Sequence, residues 1–281
     1  MNSIKTVLLL GLLSGVLLVG GQALGGRNGL AMGLVLAVGM NFFSYFFSEK
    51  MALMASGAQR VSELEHADVY ARIAPLTMRL TQKMGLPMPK LWLIPEGAPN
   101  AFATGRNPSH SSVAVTVGLL ELMNDRELEA VIAHELGHVL HRDILISSVA
   151  ATLAAAITFL GRMAFFFGGG RRDDEDERGG VVGALVMMIV APIAALLIQM
   201  AISRTREYSA DGAAAKYTGD PNSMIAALQK LEMWSKRIPM DVPSAAAHMY
   251  IIKPFNGEAV MRLFSTHPST EQRIERLRRL A

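Results

Sequence analysis

Four long apolar blocks alternate with polar sequence in this chain and limit the folds open to it. Val7–Leu24 and Leu30–Phe47 are 18 residues each, Ile144–Phe167 is 24 residues with one charge at Arg162, and Val181–Ile202 is 22 residues interrupted by Pro192 and Gln199. A hydrocarbon core of about 30 Å is crossed by roughly 20 apolar residues in helical form. Helix is the form lipid permits, because a helix pairs its own backbone polar groups. Each block therefore reads as a transmembrane helix, the first two at the short end. Gly25–Gly29 separates the first pair and makes it a membrane hairpin. Two competing readings are a cleaved signal peptide starting at Lys5 and, for the last two blocks, buried core helices.

Composition narrows the class further. The chain is 51% hydrophobic and 18% charged, where a soluble domain carries about 25% charge. That excludes a disordered or acidic interaction protein. Cysteine is absent, so there is no disulfide framework, thiolate nucleophile or Cys-held metal, and any metal must sit on His and carboxylates. A net charge of +3, spread along the chain, is not a nucleic-acid footprint.

The blocks divide the chain into an N-terminal hairpin (1–47), a polar segment (48–143), a second hairpin (144–202) and a second polar segment (203–281). The second hairpin carries the glycine-bounded, exposed charged loop Gly168–Gly180. An even number of spans puts both polar segments on one side of the membrane. Lys5, Lys50, Arg60, Arg142, Arg204 and Arg206 flank those segments and assign them to the cytoplasm; Arg27, Arg171, Arg172 and Arg178 in the hairpin loops argue the other way.

The chemistry is concentrated between Asn124 and Asp143, which reads as a helix. Asn124 supplies a cap with Glu127 three residues on, and Leu128, Val131, Ile132, Leu136, Val139 and Leu140 form an apolar stripe at helical spacing. On this helix lies His134-Glu135-Leu136-Gly137-His138. Residues i and i+4 share a helix face, so both imidazoles reach one metal, and the Glu between them lies beside it as a proton acceptor. A catalytic zinc takes three protein ligands and keeps one position open, lowering the pKa of bound water to about 7. A third His six residues past His138 is absent, since that position is Ile144. A later carboxylate is the other option. Glu207 and Asp211, also i and i+4, can divide the work, Glu207 as ligand and Asp211 accepting the free N–H of a ligating His; a solvated acidic face beside Arg204 and Arg206 is the competing reading. Because the ligand-bearing helices adjoin the third and fourth blocks, the site is expected close to the membrane surface. Lys90–Pro95, Ala101–Thr104 and Ser112–Thr116 read as short strands.

These residues resemble the gluzincin group of zinc proteases, in particular the HtpX family of bacterial membrane proteases, which is related to the CAAX prenyl proteases. The likeness rests on the two hairpins, the H-E-x-x-H helix, the Glu207-x-x-x-Asp211 pair, Pro99–Gly105, and the motif S-T-H-P-x-x-x-x-R from Ser265 to Arg273. It implies a mainly α fold with a small β-sheet: four transmembrane helices in two hairpins, plus a zincin-like metalloprotease domain built from residues 48–143 and 203–281. It implies one Zn2+ per chain on His134, His138 and Glu207, with Glu135 as catalytic base. It places Asn100, Ala101, Phe102 and Ala103 on an edge strand beside the substrate, and His267 and Arg273 near the metal to steady the oxyanion. The implied activity is endopeptidase cleavage of misfolded or damaged membrane proteins at the cytoplasmic face of the bacterial inner membrane. Such proteins and the bilayer would be its partners, without nucleic acid; the oligomeric state is open. Two alternatives remain: CAAX-type processing of lipidated peptides, whose chamber needs more spans than four blocks provide, and a non-enzymatic zinc-binding membrane regulator, against which an intact Glu135 argues.

Overall fold

The computed structural model describes residues 2–146, 204–237 and 268–281. The charged loop, nearly all of the third block, the fourth block and His267 lie outside the described residues. Two compact units divide the described chain, one over residues 3–45 and the other over 46–146, 204–237 and 268–281.

The first unit is formed by most of α1 (Asn2–Ala55), which is broken at Gly25 and Gly26. Gly26 has φ 57°, a left-handed conformation that glycine adopts without penalty. The two arms pack closely, and a Cβ on Gly29 would stand 2.0 Å from the Gly21 carbonyl oxygen. Asn41 Nδ2 donates across the arms to Ser14 Oγ (2.9 Å) and the Leu10 carbonyl (3.4 Å). Small residues at the crossing and one bridging amide are how helices associate where no hydrophobic driving force acts between them. The expected first hairpin is thus present, with its turn at the expected glycines. Among the described residues no single helix is long and apolar enough to cross a membrane, and the third and fourth expected spans lie almost wholly outside those residues. One pair, Gly25–Phe43 and Tyr45–Ala55, bent by 66°, meets that test by length and composition. The second arm runs past Phe47, the expected boundary, as far as Ala55.

The second unit is built on a four-stranded sheet in the order β1-β2-β4-β3, comprising β1 (Gln59–Val61), β2 (Lys90–Ile94), β3 (Ala101–Asn107) and β4 (His110–Thr116). β2 and β4 are parallel and the outer pairings antiparallel, so β3 is an edge strand. The three strands read from sequence are all present, with β3 and β4 extended toward each other into a hairpin. Side chains alternate between faces, as the pleat requires. Leu91, Leu93, Val113, Val115 and Ala101 join one core, while Ile94, Ala114 and Phe102 pack on the other face with Leu53, from the end of α1.

Helices cover the first face. Ile73 and Leu80 of α2 (Ala67–Met84), Leu119 of α3 (Val117–Leu122), and Leu128, Val131, Ile132 and Leu136 of α4 (Asp125–Leu140) form its centre. Met224 and Leu228 of α6 (Pro221–Arg237), Ala214 of α5 (Arg204–Thr218), and Ile274 and Leu277 of α7 (Thr270–Arg278) complete it. Burying one such Leu or Ile stabilises the fold by about 2 kcal/mol. α4 begins where the sequence indicates, with Asn124 and Glu127 in a reciprocal capping box. It stops at Leu140 rather than running to Asp143, because the chain turns away through Arg142 at φ 58°.

Asp220 starts α6, its carboxylate accepting from the backbone N–H of Asn222 (3.1 Å) and Ser223 (3.4 Å) and from Ser223 Oγ (2.5 Å). The Ser223 hydrogen bond leads the effects that hold the Asp220 carboxyl below its ordinary value of 3.8. A lowered value means the stabilisation is complete above 3.8 and is lost as pH falls through the folded-state value. Asp220→Ala should cost about 1 kcal/mol near neutral pH. Denaturant unfolding of the two proteins across pH should show that difference shrinking on acidification, and a pH-independent difference would refute the carboxylate's role.

Candidate metal centre

α4 carries His134, Glu135 and His138 through the middle of the second unit. The two imidazoles, one turn apart, meet edge to face with centroids 4.9 Å apart. α5 crosses α4 at Gly137. A Cβ there would stand 3.1 Å from Ala210 Cα and 3.1 Å from Ala213 Cβ, so the missing side chain sets how closely the helices approach. One turn before Ala210, Glu207 thereby comes up to both histidines. Its Oε2 lies 3.7 Å from His134 Nε2 and its Oε1 3.7 Å from His138 Nε2. One ligand atom from each of the three residues falls within 4.8 Å of the others.

The donor set suits a divalent cation. Ligand atoms at zinc distances around a tetrahedral ion stand about 3.3 Å apart; the two Glu207–histidine separations of 3.7 Å exceed that by a few tenths of an ångström. Both imidazoles are also turned correctly. His134 Nδ1 is 2.9 Å from Asp211 Oδ1, and His138 Nδ1 is 3.4 Å from Asp143 Oδ2. Each carboxylate accepts a hydrogen bond from an Nδ1–H, which leaves the Nε2 lone pairs facing Glu207.

Charged partners secure these carboxylates in turn. Arg273 of α7, only 2% exposed, donates from Nε to Asp211 Oδ2 (2.8 Å) and from Nη2 to Asp211 Oδ1 (2.6 Å). Its Nη1 lies 3.8 Å from Glu207 Oε2. Nη2 also stands 3.4 Å from His134 Nδ1, but a ring nitrogen that donates to Asp211 cannot accept from Arg273, so the shorter contact decides. Burial by itself raises the Asp211 carboxyl; the Arg273 charge and the bonds from Arg273 and His134 outweigh it and hold Asp211 below the ordinary value. The same pairing drives the Arg273 guanidinium further up against its own desolvation.

Glu135 faces the edge strand, its Oε2 accepting from the Ala103 N–H at 2.8 Å. Burial raises its carboxyl above the ordinary 4.5, and Glu207 adds to the rise against the two histidines and the Ala103 N–H. For His138, burial lowers the imidazole, but the hydrogen bond to Asp143 and the charges of Glu207 and Glu135 leave it raised.

The structure thus brings together His134, Glu135, His138, Glu207, Asp211 and Arg273, with β3 alongside. Ala101 and Ala103 lie on the sheet face toward α4 and Phe102 on the opposite face. Asn100 is buried, its backbone paired with Thr116 through N–H to Oγ1 (2.8 Å) and carbonyl to N–H (2.9 Å). The sequence reading gives Asp143 no role and Arg206 only that of a flanking cation. An acid at a helix C-terminus opposes the helix dipole, and that misfit at Asp143 was the available signal.

The model of peptidase family M48 matches residues 63–281. A protease HtpX homolog from Desulfatibacillum aliphaticivorans is 51% identical over 98% of this chain and 89% of its own. Another from Thermodesulfovibrio yellowstonii is 49% identical over 100% of this chain and 99% of its own. Among solved structures, that of S. mikatae Ste24p superposes with a TM-score of 0.54 at 18% identity, over 98% of this chain and 65% of that one. At that identity the likeness is one of fold.

Two substitutions probe the centre. Gly137→Val forces α5 away from α4, and a displacement toward 1 Å at Glu207 should weaken zinc binding at least about tenfold; chelator competition measures it. Arg273→Met strands the buried Asp211 charge and should cost about 3 kcal/mol or more, read as a lower thermal midpoint of the metal-free protein.

Proposed function

This chain belongs to peptidase family M48 and, within it, to the HtpX proteases; as it is thereby a metallopeptidase, we propose that it is a membrane-bound zinc endopeptidase acting on misfolded or damaged membrane proteins at the cytoplasmic face of a bacterial inner membrane. One observation carries the chemistry: Glu207 stands 3.7 Å from the Nε2 atoms of both His134 and His138, with Glu135 beside them and hydrogen-bonded to the edge strand.

His134, His138 and Glu207 would hold one Zn2+. The ion would supply Lewis acidity, easing deprotonation of the attacking water and polarising the scissile carbonyl. Glu135 takes the water proton and returns it to the leaving nitrogen. Its raised carboxyl value brings it nearer neutral pH, where one group serves as both base and acid. The Ala103 N–H holds that carboxylate at the rim of β3. The open edge of β3 pairs with an extended substrate through backbone hydrogen bonds, which tolerate many side chains. Asn100 begins that edge and orients the substrate backbone. Arg273 keeps Asp211 in place behind His134 and, with His267, lends positive charge for the developing oxyanion.

The membrane setting draws support from the order of the chain. The third apolar block begins six residues past His138 and the fourth ends five before Glu207. Cations flanking the polar segments favour the cytoplasmic side. A sequence-tolerant edge on a membrane-bound protease supports the reading that unfolded membrane proteins are cleaved.

Glu135→Gln should retain one zinc per chain and lose cleavage of an unfolded casein-type substrate in detergent by at least about 10²-fold. Near-normal turnover in that variant would remove Glu135 from the reaction.

A further inference from the structure

The geometry points to Asp143 as a positioning residue for the metal centre, aimed at His138 by a left-handed turn at Arg142 and held by Arg206; this rests on the reading of His134, His138 and Glu207 as ligands.

α4 ends in a Schellman motif. The Asp143 N–H donates to the His138 carbonyl (2.8 Å) and the Arg142 N–H to that of Val139 (3.1 Å). The residue between the helix cap and Asp143 must then be left-handed, where glycine is usual. Here it is Arg142 at φ 58°, one of two non-glycine residues with positive φ among those described. A side chain there is strained, because its Cβ crowds the following carbonyl oxygen. The turn folds the chain back so that Asp143, five residues after His138, returns to the ring of that same histidine. Its Oδ2 stands 3.4 Å from His138 Nδ1, and the residue is 1% exposed.

A carboxylate this buried requires compensation, and α5 supplies it. Arg206 Nε lies 3.3 Å from Asp143 Oδ1, and Arg206 Nη2 donates to the Asp143 carbonyl at 3.0 Å. Arg206 pairs with the carboxylate, whose other oxygen faces His138 Nδ1; accepting a hydrogen bond from that N–H turns the Nε2 lone pair toward Glu207. Arg206 is also the neighbour of Glu207, so one turn of α5 sets both the third ligand and the support of the second.

The arrangement repeats on the other histidine, where Asp211 and Arg273 stand behind His134. Each imidazole is backed by one carboxylate and each carboxylate by one arginine. The second relay needs only six residues of chain, His138 to Asp143, and one arginine of α5.

The test uses the full chain in detergent, with zinc as the probe and a chromogenic chelator as competitor. Asp143→Asn should lose zinc affinity by about tenfold or more, beyond any fall in the thermal midpoint of the metal-free protein that comes from leaving Arg206 without its carboxylate. Arg142→Val, which resists the left-handed turn, should also weaken zinc, while Arg142→Gly retains wild-type affinity; that contrast isolates the backbone turn from the exposed side chain. Histidine 15N spectra of the zinc-loaded wild type should show His138 protonated at Nδ1. Wild-type zinc affinity in Asp143→Asn, or a His138 proton on Nε2, overturns the assignment and leaves the ligand set standing. A wild type that binds no zinc overturns both. If Asp143→Asn lowers the midpoint, the tautomer in the wild type decides.

Discussion

The close approach of α4 and α5 is the contact on which the rest of the centre depends. Gly137 faces Ala210 and Ala213, and the absence of a side chain lets the two backbones come together. From that contact, one turn back along α5 places Glu207 at the histidines, and the next residue on that face, Asp211, meets His134 from behind. Arg206 on the same helix reaches Asp143 at the end of α4. A single helix crossing therefore installs a ligand, a supporting carboxylate and a supporting cation. The surrounding core, from Leu128 to Ile274, keeps both helices where that crossing needs them.

The electrostatics follow from burial. His134, Glu135, Asp143, Glu207, Asp211 and Arg273 are all under one-tenth exposed, and charges in such a place are tolerated only when paired. Arg273 and Arg206 provide the pairing from two sides, Arg273 on Asp211 and Arg206 on Asp143. Glu135 sits apart from both arginine relays, on a backbone N–H of the edge strand. That difference lets its carboxyl rise where the supporting carboxylate Asp211 is held down. One cluster of acids thus holds carboxyls shifted in opposite directions.

Much of this centre was legible from residue spacing. His134 and His138 share a face because four residues make about one helical turn, and the same rule pairs Glu207 with Asp211. The capping box at Asn124 and the strands β2, β3 and β4 follow from local patterns that need no distant partner. The glycines at 25 and 26 marked the hairpin turn correctly. What went unread depended on irregular backbone. Local pattern carried the helix on to Asp143, whereas the chain leaves it at Leu140 through a left-handed arginine, a conformation that local propensity disfavours. Asp143 lost its role in the reading for that reason. The continuation of the first hairpin's second arm to Ala55 was likewise hidden, because polar residues after Phe47 end an apolar block without ending a helix.

The sequence by itself determined which chemical groups are available and which of them share a helix face: two imidazoles and a glutamate on one helix, two acids on another, and no thiol anywhere. Periodicity settles such questions because helix geometry repeats over a few residues. Only the tertiary structure decided that these helices meet, that Arg273 braces Asp211, and that Asp143 turns back onto His138 under Arg206. Those contacts join residues as much as 63 positions apart, and their geometry is set by packing at Gly137 and by one strained turn, neither of which has a repeating signature along the chain.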